Sequence, residues 1–180
     1  MIIALLGAES TGKSVLAHAM ARHLQVHGKD AVTVDEYLRE WCNLHGRTPL
    51  QHEQAHIAAT QQQRISRAAQ QHAIVLADTT ALMTAVYSEY VFSDHSLYAQ
   101  AVLQQHDVDI NLVTALDTPW QPDGIQRDGA HARAPVDALL RRTLMQAGIG
   151  YQVIHGLGAQ RLQNAINSIA VLAGNTASTG

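Results

Sequence analysis

Gly7-Ala8-Glu9-Ser10-Thr11-Gly12-Lys13-Ser14 follows the apolar run Ile2-Ile3-Ala4-Leu5-Leu6 and opens a stretch of helical periodicity. The eight residues satisfy Gly-x-x-x-x-Gly-Lys-Ser/Thr in full. At this chain's own frequencies of glycine, lysine and hydroxyl residues, about 0.001 accidental matches are expected. Glycines at 7 and 12 let the backbone turn so that successive N–H groups converge as an anion nest. A helix starting at Lys13 adds the positive end of its dipole. Lys13 can reach β- and γ-phosphates, and the Ser14 hydroxyl can ligate Mg²⁺. A glycine turn before an ordinary helix leaves the Lys-Ser pair unexplained. The stretch reads as a cradle for ATP and Mg²⁺, with Gly7, Glu9, Ser10, Thr11, Gly12, Lys13, Ser14 and Val15 as the nucleotide-binding set.

Outward from this loop, short β-branched runs alternate with longer helical stretches. That order predicts an α/β three-layer sandwich on a mainly parallel five-stranded sheet, with the site at the carboxyl ends of the strands. Strands are expected at 2–6, 31–34, 74–77, 111–116 and 151–154. Residues 13–27 carry Val15, Leu16, Ala19, Met20, His23 and Leu24 on one helical stripe. A helix over 49–71 is expected to start with Thr48 as N-cap and Pro49 in its first turn. Leu82, Met83, Val86, Tyr87 and Tyr90 form another stripe, and 136–147 and 158–172 complete the helices. Residues 118–135 hold three of the four prolines and read as a lid loop. One domain over 1–173 with a frayed tail at 174–180 is expected.

Composition removes several function classes. Hydrophobic residues make up 47% and charged ones 15% of 180 residues, which is the balance of a folded globular chain. A net charge of −3 argues against binding nucleic acid or a membrane surface through bulk charge. Cys42 stands alone, so an internal disulfide framework and cysteine-cluster zinc sites are excluded. The run at 2–6 is too short for a signal peptide or a membrane span, and a cytoplasmic location is expected.

The kind of nucleotide chemistry follows from the acids. Asp78 ends the strand at 74–77 and reads as a metal organiser, as an N-cap for the next helix, or as both. Thr79 follows it, so no water-orienting Glu stands there, which favours transfer to a bound hydroxyl over hydrolysis. Asp35-Glu36 ends the strand directly after the phosphate loop's helix, where either carboxylate can accept the proton of an attacking hydroxyl. A guanine-reading Asn-Lys-x-Asp element is missing, because the second lysine, Lys29, lies in His27-Gly28-Lys29-Asp30. The reading is a kinase. Phosphoryl transfer needs positive charge and exclusion of water. Arg127 and Arg133 in the lid loop are candidates to close over the phosphates, or are solvated loop charges.

These residues resemble the ribosylnicotinamide kinase domain of the bifunctional bacterial NAD-biosynthesis regulators, within the wider AAA-like P-loop group. The resemblance rests on the phosphate loop, on Glu36-Tyr37-Leu38-Arg39-Glu40 and on Ile57-Ala58 with Gln61. It extends through Asp78-Thr79-Thr80 and Tyr87-Ser88 to Pro119-Trp120-Gln121-Pro122-Asp123-Gly124-Ile125-Gln126-Arg127. It implies ATP-dependent phosphorylation of nicotinamide riboside, a small-molecule substrate, to the mononucleotide. Glu36, Tyr37, Arg39, Trp120 and Asp123 are then expected at the substrate. Trp120 or Tyr37 can stack on a pyridinium ring, and Trp120 can equally anchor the lid. Leu38 stands where the family has Ala, and Asp128-Gly129-Ala130-His131-Ala132-Arg133 lengthens the lid. The family's nucleotidyl-transfer and DNA-binding activities are not expected of this chain.

His52-Glu53-Gln54-Ala55-His56 spells His-Glu-x-x-His, the zinc-hydrolase signature. Eleven histidines raise its accidental rate to about 0.02, and no third ligand stands at an obvious spacing. Two exposed histidines on a polar helix face are the simpler reading. Rival functions are a kinase for another nucleoside or small alcohol, a nucleotide-dependent regulatory ATPase and, most distantly, a zinc hydrolase.

Overall fold

Ile3 and Leu5 point to one side of the first strand and Ala4 and Leu6 to the other, and all four are fully buried. A strand covered on both faces has no polar alternation, which is why this one reads as a continuous apolar run. It is β1 (Ile2–Leu6) in the computed structural model, which describes residues 1–121 and 129–176. With β2 (Ala31–Val34), β3 (Ile74–Asp78), β4 (Ile110–Thr114) and β5 (Gln152–Ile154) it forms one sheet in the order β2-β3-β1-β4-β5. Every pairing is parallel.

Helices cover both faces. α1 (Lys13–Val26) and α7 (Gly158–Thr176) bring Leu16, Met20, Ala165 and Ile169 onto Ile3 and Leu5. α4 (Ala81–Phe92) and α6 (Arg133–Gln146) bring Leu82, Val86, Val136, Leu140 and Leu144 onto Ala4 and Leu6. α3 (Gln54–Gln71) packs Ile65 on Val34, Val75 and Ala77 at the β2 edge. Each Leu or Ile so buried stabilises the fold by about 1.5–3 kcal/mol. α2 (Tyr37–His45) and α5 (Tyr98–Gln105) complete the chain. Among the described residues, no helix is long and apolar enough to cross a membrane.

Several boundaries differ from the sequence reading. Thr48 caps no helix: a single tight turn at Gln51–Glu53 precedes α3. Glu53 closes that turn, accepting the Leu50 N–H at 2.7 Å while Arg47 grips both its oxygens at 2.7 Å. α6 begins at Arg133, so this arginine is helical rather than part of a loop. α7 runs to Thr176, whereas the sequence reading ends the helix at 172.

Candidate active site

The parallel sheet puts the end of β1, the end of β3 and the start of α1 side by side, and the phosphate loop fills that junction. Gly7 has φ +143° and leaves no room for a side chain, since a Cβ there would stand 2.3 Å from Thr114 Oγ1. Gly12 caps α1 at φ +76°, and Ser10 takes φ +53°. The loop is internally braced: Thr11 Oγ1 donates to the Ala8 carbonyl at 2.8 Å, and Lys13 Nζ donates to it at 2.9 Å. Thr114 Oγ1 lies 2.7 Å from Thr11 Oγ1. Arg161 of α7, buried, donates to the Thr11 carbonyl and pairs with Asp117. Ser14 is half-buried in the first turn of α1, and Val15 is exposed beside it.

Asp78 ends β3 opposite Leu5, immediately beside the loop. Its carboxylate is buried, and Oδ1 has no hydrogen-bond partner among the described residues. It is not the cap of α4; Thr80 is, accepting the Leu82 N–H at 3.3 Å. An unpartnered buried carboxylate oxygen is costly unless a cation or donor meets it. Together with the Ser14 hydroxyl it is an oxygen donor set that fits Mg²⁺.

A largely apolar cavity opens from the phosphate loop and runs between α2, α3 and α4. Gly7, Lys13, Glu36 and Thr79 line it together with the apolar side chains of Leu38, Ile57, Met83, Val91 and Phe92. The structure separates Asp35 from Glu36. Glu36 lines the cavity with its side chain 13% exposed and Arg39 3.9 Å away, whereas Asp35 is 69% exposed and meets His18 at 3.2 Å. Tyr37 stays outside the cavity lining: its ring lies under the Arg64 guanidinium at 4.5 Å, and its hydroxyl is 3.5 Å from His56.

The segment after β4 is tied to the loop. Thr118 donates to the Ser10 carbonyl at 2.9 Å, and the Gln121 N–H donates to Ser10 Oγ at 2.8 Å. Buried Glu9 accepts the Trp120 indole N–H at 3.2 Å and the Gly129 N–H at 2.8 Å. Trp120 is thus pinned to the phosphate loop. Arg133 donates to Thr118 Oγ1 at 3.2 Å. Arg127 and Asp123 lie outside the described residues.

Sequence reasoning passed over Arg161, and it named Gln61 and Thr79 without giving either a place in the site. Gln61, buried on α3, accepts the Tyr37 N–H at 2.8 Å and donates to the Thr79 carbonyl at 3.4 Å, fastening the start of α2 to the end of β3. The quoted element Ile57-Ala58 with Gln61 holds the signal for it.

The zinc-like motif is otherwise employed. Glu53 serves Arg47 and Leu50, and those hydrogen bonds hold its carboxyl down at about 2. His52 and His56 are exposed, and no group of three or more potential metal ligands occurs among the described residues. Cys42 is fully buried, and burial, with Glu36 nearby, pushes its thiol up to about 11.

Fold and loop together define a P-loop α/β protein of the kinase-like kind, and the comparisons place it further. The chain belongs to the AAA domain family, AAA_28, whose model matches residues 2–161. No curated protein sequence matches it significantly. Its fold is similar to that of the NadR protein in complex with NR, with a TM-score of 0.80 at 22% identity; the match covers 96% of this chain and 50% of that one. It is also similar to thymidylate kinase from Ehrlichia chaffeensis, at TM-score 0.64 and 18% identity over 96% of this chain and 98% of that one. Deoxyadenosine kinase from M. mycoides matches at TM-score 0.62 and 13% identity, over 95% of this chain and 100% of that one.

Proposed function

We propose that this protein is an ATP-dependent kinase for a nucleoside-type alcohol, nicotinamide riboside first among them. The observation that carries the reading is that Lys13 and Glu36 line one cavity, so a phosphate-binding cation and a proton-accepting carboxylate share a single cleft. Residues 7–14 hold the triphosphate through backbone N–H groups, and Lys13 Nζ stabilises the transferring charge. Ser14 and Asp78 are the residues that would hold Mg²⁺, which when bound neutralises charge on the β- and γ-phosphates. Glu36 orients the acceptor hydroxyl and takes up its proton, and the cavity walls exclude water. Among the described lining residues Lys13 is the one cation, and Arg39 stands 3.9 Å from the lining Glu36. The likeness to the NR-bound structure and to two nucleoside or nucleotide kinases supports the same class.

The test is ADP release with purified protein, Mg²⁺-ATP and a panel of nucleosides that includes nicotinamide riboside, alongside their 5′-monophosphates. Acceptor-dependent release with a nucleoside is the expected result. Slow ADP release that no acceptor accelerates contradicts the reading and favours a regulatory ATPase.

A further inference from the structure

Thr79 combines three unusual features at one point of the cavity wall. Its backbone sits at φ +75°, a region that β-branched residues almost never enter. Its side chain is buried, with the residue only 6% exposed, and Oγ1 has no hydrogen-bond partner among the described residues. It lines the same cavity as Lys13 and Glu36. Strained backbone of this kind costs about 1–3 kcal/mol and persists only where the surroundings over-determine it. Here they do. The Thr79 N–H donates to the Leu5 carbonyl at 3.1 Å, and its carbonyl is held by Gln61. Gln61 in turn holds the residue after Glu36, so the two side chains are referenced to one glutamine.

A buried hydroxyl left unpartnered forfeits a hydrogen bond, and Thr79 belongs to the wall of the cavity in which the acceptor is read to sit. We infer that the Thr79 hydroxyl is a direct ligand of the phosphate acceptor, hydrogen-bonding a hydroxyl of its sugar-like portion. The inference rests on the kinase reading above and adds to it the residue and the chemistry of the acceptor's recognition. A hydroxyl that both donates and accepts can pair with an alcohol, which likewise does both. Thr79 thus favours an acceptor that places a hydroxyl at this point of the wall, with its remaining body against Leu38, Ile57, Met83 and Phe92 of the same cavity.

Thr79→Val keeps the β-branched shape and deletes the hydroxyl, whereas Thr79→Ser keeps the hydroxyl and deletes the methyl. Both are measured beside the native protein for KM of acceptor, KM of ATP and thermal midpoint. Thr79→Val is expected to raise the acceptor KM by at least about tenfold while leaving the ATP KM within about twofold. Thr79→Ser is expected to restore most of the loss. An unchanged acceptor KM in Thr79→Val overturns the inference, and so does equal loss in both variants at unchanged thermal midpoint. If the native protein turns over no nucleoside at all, the kinase reading itself has failed and the inference falls with it. Native turnover with an indifferent Thr79→Val sinks the inference alone.

Discussion

Arg161 donates one guanidinium nitrogen to the Thr11 carbonyl across 150 residues of sequence, fastening α7 to the phosphate loop. Its other nitrogen reaches Asp117 and, at 3.4 Å, the Ala115 carbonyl beyond β4. Asp117 also accepts the Gly156 N–H at 2.7 Å, so the turn before α7 joins the same network. One planar group with several donors meets three acceptors, which a lysine ammonium cannot reproduce.

Arg161→Ala is accordingly expected to cost about 2–3 kcal/mol, below the usual loss for a broken buried pair because Asp117 is 33% exposed. Chemical denaturation measures it. Arg161→Lys is expected to recover part of that stability but still bind ATP more weakly than the native protein. Acceptor KM is expected to stay unchanged.

Lys13 lies at a loop–helix junction and donates to the Ala8 carbonyl at 2.9 Å. Lys13→Ala is expected to lower phosphoryl transfer by at least about 100-fold, the scale of one lost charge-stabilising donor. Circular dichroism should report an intact fold. Retained turnover in the purified variant counts against the site.

The two neighbouring acids give a paired test. Glu36→Gln, on the cavity wall, is expected to reduce acceptor-dependent turnover by about 100-fold or more. Asp35→Asn, out in solvent beside His18, is expected to change turnover by less than about twofold. Reversed effects would move the proton acceptor to Asp35.

Glu53 supplies a pH signature. Its folded carboxyl is lowered from 4.5 to about 2, chiefly by the Arg47 hydrogen bonds and then by the Leu50 N–H. A group lowered on folding contributes stability above its unfolded value, and that contribution drains away as pH falls from 4.5 towards 2. Urea midpoints of Glu53→Gln are expected to fall less between pH 5 and pH 3 than those of the native protein. The slope should not vanish, because Arg64 lowers Glu40 and His72 lowers Asp30 in the same sense. Since Thr48, Pro49 and Leu50 line the cavity, the acceptor KM of Glu53→Gln is expected to rise as well.

Local chemistry made much of this legible before any coordinates. β1, the phosphate loop and the start of α1 announce themselves because the signal is contiguous: apolar run, glycine turn, Lys-Ser. The acids at the end of β3 and just after β2 are legible for the same reason, although of the pair after β2 only Glu36 lines the cavity. What stayed hidden depends on contacts remote in sequence. Nothing near Arg161 tells that its partner is a loop carbonyl 150 residues earlier. Nothing near Thr79 signals a left-handed backbone, because the bonds from Leu5 and Gln61 impose it. α2 and α5 escaped because their stripes are short, and Thr48 looked like a cap because the Arg47–Glu53 pair that displaces it lies on both sides of it. Asp35 and Glu36 are adjacent residues, and which of them enters the cavity is settled by where α2 begins.

The central claim is that residues 7–14 hold the terminal phosphates of ATP against a cavity that takes the acceptor. Isothermal titration calorimetry of Mg²⁺-ATP into the native protein, then of nicotinamide riboside into protein saturated with a non-hydrolysable ATP analogue, tests it most directly. One nucleotide site in the range of about 1 µM–1 mM, and a second binding event that Glu36→Gln weakens, is the expected result. No heat from the triphosphate, or nucleotide binding that Lys13→Ala leaves untouched, contradicts it.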